Sequence, residues 1–326
     1  MERQKIGINC TIFKKLFIYL QKKIKTSILT IPPHLPMKRR QYKVAGHVFG
    51  VETADGIDLP MNNYKPFDTE DEPSLFVLTI HENALPTLPD GCTEERRQEE
   101  EGQSITSYST GDGRYAFRFE LQQMAAILVT DSDYKRGWLT AEKQSLTWAV
   151  DNSLMLLYAL ASAPHSTLLF HSSVVVNEGR AYLFLGVSGT GKSTHTSLWM
   201  RHIDGCTLLN DDNPVVRIDD QGTAIAYGSP WSGKTQCYKN LSFPVGAIVK
   251  LHQYPSNRIK PLSKLHGYIA IAESVSGKTW DKAIAEGQHQ TKEAIVKNTE
   301  VYYLDCLPDR NAALLCRETV SRRWRK

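Results

Sequence analysis

The sequence predicts an α/β protein with a mixed sheet, preceded by a mainly β domain. Three observations carry this expectation. A buried-type strand, a glycine-rich loop and a helix-compatible run follow one another at 181–202. Short β-rich runs separated by turn residues fill 40–139. Between them, Leu146, Val150, Leu154, Leu157, Tyr158 and Ala161 recur at helical spacing with one apolar face.

In chain order, residues 1–36 form a basic extension. Seven Lys/Arg against Glu2 give it +6 of a total of +4, so the remainder carries −2. The body therefore has no basic nucleic-acid surface. Around Phe13 to Leu20 the extension is basic and amphipathic, the composition of a segment lying on a membrane surface. Lys14 and Lys15 interrupt its apolar part and no small-residue cleavage site follows, so it does not read as a signal peptide. The simpler expectation is an over-long gene start with Met37 as initiator, and Pro32, Pro33 and Pro36 marking the break.

Residues 37–139 form the expected mainly β domain, with strands at 44–51, 75–80, 115–121 and 125–130 and an exposed charged loop at 94–101. Nothing there carries a catalytic constellation. Its role is either substrate recognition or packing. The domain boundary is placed near Thr140, and a helix is expected over 141–163, ending at Pro164. The second domain, 140–326, continues with strands at 206–210, 215–218, 224–227, 245–251 and 302–304 and a closing helix at 311–323.

The chemistry lies in the second domain. Gly186-Val187-Ser188-Gly189-Thr190-Gly191-Lys192-Ser193 fits the phosphate-loop pattern of Gly, four residues, Gly-Lys-Ser/Thr. Ala181 to Leu185 reads as the strand entering it, and 193–202, free of Gly and Pro, as the helix leaving it. Backbone N–H groups of such a loop curl around phosphate oxygens, and the helix N-terminus adds unsatisfied donors. The expected nucleotide contacts are Gly186, Ser188, Gly189, Thr190, Gly191, Lys192, Ser193 and Thr194. Lys192 supplies charge to the β- and γ-phosphates, and the Ser193 hydroxyl ligates Mg²⁺. ATP and Mg²⁺ are the implied cofactors.

Two further matches need weighing. Gly228-Ser229-Pro230-Trp231-Ser232-Gly233-Lys234-Thr235 satisfies the same pattern, but Pro230 removes a donor and no long helix is expected beyond it. It is either a functional loop beside the first or a plain turn. In the functional reading, Trp231 presents a flat surface where an acceptor would lie. Lys234 then stabilises the transferred phosphoryl group or binds an anionic part of the acceptor. In the plain reading Trp231 packs in the core. The Gly-Lys-Thr at 277–279 has Ala272 where the first Gly should stand and is set aside.

Phosphoryl transfer also needs carboxylates. Asp211 and Asp212 end the run 206–210, where open α/β sheets bind ligands. Neighbouring side chains of an extended chain point to opposite sides, so one aspartate can face the metal and the other the acceptor. Their mutual repulsion raises the pKa of one, which suits general-base work.

At these residues the chain resembles the HPr kinase/phosphorylase catalytic domain, which shares a nucleotide-binding core with phosphoenolpyruvate carboxykinases. The resemblance covers about 165–320 and rests on the loop, the Asp pair and Phe170-His171-Ser172-Ser173, where a His precedes a strand and turn leading to the loop strand. It implies a P-loop core of carboxykinase type, with Asp211 on the metal side and Asp212 exchanging the transferred proton. It also places His171 near the reacting phosphate and implies a homo-oligomer. Thr194 stands where that family usually has an acidic residue, and the loop that grips HPr is missing, so HPr is not the expected acceptor.

Six cysteines form no CxxC pair and no metal spacing, which suits a reducing compartment, and no apolar run is long enough to span a bilayer. The expectation is a cytoplasmic, ATP-dependent, Mg²⁺-assisted kinase. Its acceptor bears a serine-like hydroxyl on a protein, peptide or small molecule. Two alternatives stay open: a carboxykinase-like phosphotransferase acting on a small acid, and a nucleotide-binding regulator without transfer activity.

Overall fold

The structure, a computed structural model, describes residues 37–324 apart from 55, 56, 58, 83–85 and 234. The extension 1–36 and Lys234 lie outside the described residues. The first sheet has nine strands: β1 (Met37–Val44), β2 (His47–Ala54), β3 (Asp68–Thr69), β4 (Phe76–Glu82), β5 (Thr93–Glu100), β6 (Gln103–Ser109), β7 (Tyr115–Leu121), β8 (Met124–Thr130) and β9 (Arg136–Ala141). They lie in the order β3-β1-β2-β4-β9-β8-β7-β6-β5. The pairs β2–β4 and β4–β9 are parallel.

Two sequence expectations change here. The run 44–51 is not one strand, because Ala45 and Gly46 take φ of 49° and 81° and turn the chain between β1 and β2. The segment 94–101 is not a loop but mostly the edge strand β5. Glu101 and Gly102, at φ 49° and 79°, make the two-residue turn that folds it onto β6. Both central residues at positive φ give the turn whose twist matches paired strands. The charged side chains misled the sequence reading because an edge strand exposed on both faces keeps them in water.

Helix α1 (Leu146–Ser162) packs on β4, β8 and β9. Its buried Leu146, Val150, Leu154 and Leu157 join Phe49, Phe76, Leu78 and Leu128 in one core, which also takes in Val215 and Trp231. The helix starts later than expected, since 136–141 is spent on β9, which completes the first sheet.

The second sheet is also mixed. It contains β10 (Thr167–Leu169), β11 (Ser172–Asn177), β12 (Arg180–Leu185), β13 (Thr207–Asn210), β14 (Val215–Ile218), β15 (Ala224–Tyr227), β16 (Ser242–Gln253), β17 (Arg258–Pro261) and β18 (Val301–Cys306). The order is β10-β14-β15-β16-β12-β11-β13, with β18 beside β16 and β17 beside β18. The pairs β12–β16 and β16–β18 are parallel. Helices α2 (Lys192–His202), α3 (Lys264–Ala272), α4 (Lys282–Asn298) and α5 (Arg310–Ser321) cover it.

Strand β12 shows how the layers form. Ala181, Leu183 and Leu185 enter the core shared with α3 and α4, while Tyr182 and Phe184 enter the core shared with α2 and α5. Alternation of side chains sends one strand into both cores. The sequence pattern of α3 and α4 does not signal them as helices. Each contains a glycine that weakens its helical pattern, yet each is capped: Ser263 Oγ accepts from His266 N at 3.3 Å and Asp281 Oδ1 from Ala283 N at 3.1 Å.

The topology places the site. Strand β11 runs antiparallel to both β12 and β13. The carboxyl ends of β12 and β13 and the amino end of β11 therefore share one edge. The glycine loop, the Asp pair and His171 meet there, 15 to 41 residues apart in sequence.

Candidate active site

Strand, loop and helix follow one another at 180–202 as the motif requires. Gly191, at φ 96°, caps the amino end of α2 in a conformation open to glycine and strained for other residues. Within the loop, Thr190 N donates to Val187 O at 3.1 Å and Thr190 Oγ1 to the same oxygen at 2.6 Å. Gln253 Nε2, from the end of β16, donates to Gly189 O at 3.1 Å and pins the loop. The side chains of Ser193 and Thr194 are exposed at the helix start, where donors are unsatisfied.

Lys192 folds back under the loop. Its Nζ donates to Gly186 O at 2.9 Å and shares a 2.8 Å hydrogen bond with His171 Nε2, and the residue is only 8% exposed. Burial pulls its pKa down, opposed by the charges of Asp212 and Glu100. His171 Nε2 also lies 3.6 Å from Asp212 Oδ1. Backbone pairing sets this meeting: His171 N donates to Ser274 O at 2.7 Å and Ser172 N to Asp212 O at 2.8 Å.

The two aspartates point to different partners. Asp211 is buried and its Oδ1 accepts from Ser173 Oγ at 2.7 Å. Its other oxygen, Oδ2, is also buried and has no hydrogen-bond partner among the described residues. An orphaned carboxylate oxygen is costly without a cation or donor. It suits Mg²⁺, which takes one or two carboxylates and substrate phosphates rather than a protein cage. Among the described residues no group of three or more His, Cys, Asp and Glu gathers as such a cage. Asp212 faces Lys192 and His171, and its pKa is raised. Burial is the first cause; His171 and Lys192 oppose it and Asp211 adds a smaller push. Repulsion within the pair is therefore secondary to desolvation.

The match at 228–235 lacks the helix that the motif requires. Residues 236–241 beyond it are irregular and lead into β16, so no helix follows. Instead the loop lies against the Asp pair. A Cβ on Gly233 would stand 3.1 Å from Asp211 O and 3.2 Å from Asp212 Cβ. Buried Asn210 holds the other end, with Nδ2 donating to Ser229 Oγ and to Trp231 O, both at 3.1 Å. Trp231 itself is 5% exposed, lies 5.1 Å from the Tyr158 ring and 6.3 Å from the Phe49 ring, and donates from Nε1 to Tyr64 Oη at 3.0 Å. Its ring thus packs in the core shared by the first sheet and α1.

Glycine loop, His171 and Asp pair line a cleft of about 1240 Å³ whose far wall is the first sheet and α1. The turn between β5 and β6 reaches the loop: Glu101 accepts from Ser188 Oγ, and Glu100 Oε1 lies 3.9 Å from His171 Nδ1. The 277–279 segment borders the cleft too, with buried Lys278 paired to Glu95 at 2.9 Å. The contacts of Ser173 with Asp211, Glu100 with His171 and Glu101 with Ser188 arise only in the folded chain. The partners are 38 to 87 residues apart and no spacing signals them.

A family model described as ScmC, SynChlorMet cassette protein ScmC, matches residues 139–302, half of the 326-residue chain. Among solved structures, the Hpr(Ser) kinase/phosphatase from Coxiella burnetii aligns at 14% identity with a TM-score of 0.29, over 48% of this chain and 95% of that one. A likeness at that level carries no argument about chemistry. No curated protein matches the chain.

Proposed function

The chain belongs to the family described as SynChlorMet cassette protein ScmC, and from its site geometry we propose that it is an ATP-dependent, Mg²⁺-assisted kinase acting on a serine-like hydroxyl. One observation carries this reading: Lys192, His171 and Asp212 meet within 3.6 Å at a glycine loop, beside an Asp211 oxygen that lacks a partner among the described residues.

In this reading the loop N–H groups and Lys192 hold the β- and γ-phosphates. Ser193 Oγ and Asp211 Oδ2 hold Mg²⁺, whose charge offsets that of the transferring group when bound. Asp212 takes the proton of the acceptor hydroxyl. A bond forms between that oxygen and the γ-phosphorus, the bond from the γ-phosphorus to the β,γ-bridging oxygen breaks, and ADP leaves. His171 orients Lys192 and Asp212 around the reacting phosphate. Burial suits Asp212 to the task, because a raised pKa makes a carboxylate a stronger base. Lys234, flanked by cleft-lining Gly233, is assigned to the transferred phosphoryl group or to an anionic part of the acceptor. Residues 37–139 act as the acceptor-side domain and 140–326 as the catalytic one.

The test has two parts. ATP is titrated calorimetrically with Mg²⁺ and again with EDTA. Labelled γ-phosphate transfer is then followed from ATP to a degenerate pool of serine peptides. Binding that ignores Mg²⁺, or tight Mg·ATP binding with neither peptide labelling nor ATP turnover, defeats the kinase reading.

A further inference from the structure

One wall of the cleft is built from α1. Helix α1 turns Asp151, Asn152, Met155, Leu156 and Ala159 toward the cleft, a stripe at helical spacing. Four of these fit neutral contacts; Asp151 does not.

Asp151 is partly buried and lines the cleft. Its Oδ1 accepts from Tyr64 Oη at 2.8 Å and from Asn63 Nδ2 at 3.2 Å. Tyr64 in turn accepts from Trp231 Nε1 at 3.0 Å, and Asn63 Nδ2 also reaches Pro230 O at 3.1 Å. The carboxylate is thus fixed by the same loop that packs on Asp211 and Asp212. Among the described residues no Lys, Arg or His forms an ion pair with it, and burial pushes its pKa up. A desolvated carboxylate whose described partners are all neutral is short of compensating charge.

The rest of the cleft agrees. Its described lining carries seven carboxylates against three Lys or Arg. Some of these groups are already engaged: Lys192 at the loop, Lys278 with Glu95 at 2.9 Å, Glu99 with Arg97 at 3.9 Å and Glu273 with Lys250. On the α1 wall Asp151 is the one charged residue of the described lining, so an anionic acceptor would meet repulsion there and a cationic one attraction.

We infer that Asp151 is the specificity-determining residue for the acceptor, and that it receives an ammonium or guanidinium group of a serine-containing peptide lying across the cleft beside Met155 and Leu156. This rests on the kinase reading of the same site. The competing role for Asp151 is a bolt that fixes α1 to the 61–67 segment and touches no acceptor.

The experiment uses the full chain and two fluorescent degenerate serine-peptide pools of equal length, one enriched in Lys and Arg, the other in Asp and Glu. Binding is read by anisotropy with Mg²⁺ and a non-transferable ATP analogue, and transfer by labelled γ-phosphate. The basic pool should bind at least about tenfold tighter, the scale of one charge-assisted contact. Asp151→Asn, which keeps an oxygen for Tyr64, should remove that preference and leave Mg·ATP affinity unchanged. Asp151→Glu should retain it, and Asp151→Lys should invert it. Equal binding of the two pools, no binding of either, or a preference that survives Asp151→Asn while only the melting temperature falls, overturns the inference. Labelling without preference keeps the kinase reading and sinks this one. An Asp151-dependent preference without labelling does the reverse.

Discussion

Lys192 Nζ and His171 Nε2 share a 2.8 Å hydrogen bond. The same Nε2 lies 3.6 Å from Asp212 Oδ1, so one ring nitrogen stands between the lysine and the carboxylate. Gly186 O and His171 together hold Lys192 Nζ at the glycine loop.

Lys192→Ala should therefore weaken Mg·ATP binding by about 10- to 100-fold, the worth of a charge-assisted contact. Lys234→Ala should keep that affinity, since its loop packs on the Asp pair and no helix follows it. Parallel calorimetric titrations check both. Loss of ATP on Lys234→Ala with retention on Lys192→Ala would exchange the two loops.

The aspartates should separate cleanly. Asp211→Asn should weaken Mg²⁺-dependent ATP binding, because an amide is a poor ligand for a hard cation. Ser173→Ala should do so more mildly, as it removes the 2.7 Å bond that orients Asp211. Asp212→Asn should bind Mg·ATP normally and lose about 10²–10⁴ in turnover. Stopped-assay rates beside binding constants distinguish the two positions, and exchanged phenotypes would reverse the roles.

The raised pKa of Asp212 fixes the sign of a pH effect. As the base, the carboxylate must be ionised, so kcat/KM should rise with pH through its pKa, at a midpoint above the ordinary value of 3.8. The acid limb should vanish in Asp212→Asn. A limb at the ordinary carboxylate value in the wild type would mean that Asp212 is solvated in the working enzyme.

Trp231→Ala should cost about 3–5 kcal/mol of stability, as expected for an aromatic lost from a packed core. Chemical denaturation measures it. Gly233→Ala should act differently, with a near-native melting temperature and depressed turnover, because its methyl would press on Asp212 Cβ from 3.2 Å. Unchanged turnover in Gly233→Ala would uncouple this loop from the Asp pair.

Much of this site was legible along the chain. The 186–193 motif required a strand before it, a helix after it and glycine at the helix cap, since each rests on the local backbone. Residues 115–121, 215–218 and 224–227 were legible as strands for the same reason: alternation and turn residues act over a few positions. Tertiary structure decided the rest. Whether 94–101 was loop or strand depended on its pairing with β6, and β5 showed only its charges. Whether Trp231 faced an acceptor or the core depended on Phe49, Tyr64 and Tyr158, which lie 73 to 182 residues away. The order of pKa causes at Asp212 followed the same rule. Repulsion from the adjacent Asp211 could be read from the chain, but burial ranks first, and burial exists only once β11, the glycine loop and the 228–233 segment have closed around the carboxylate.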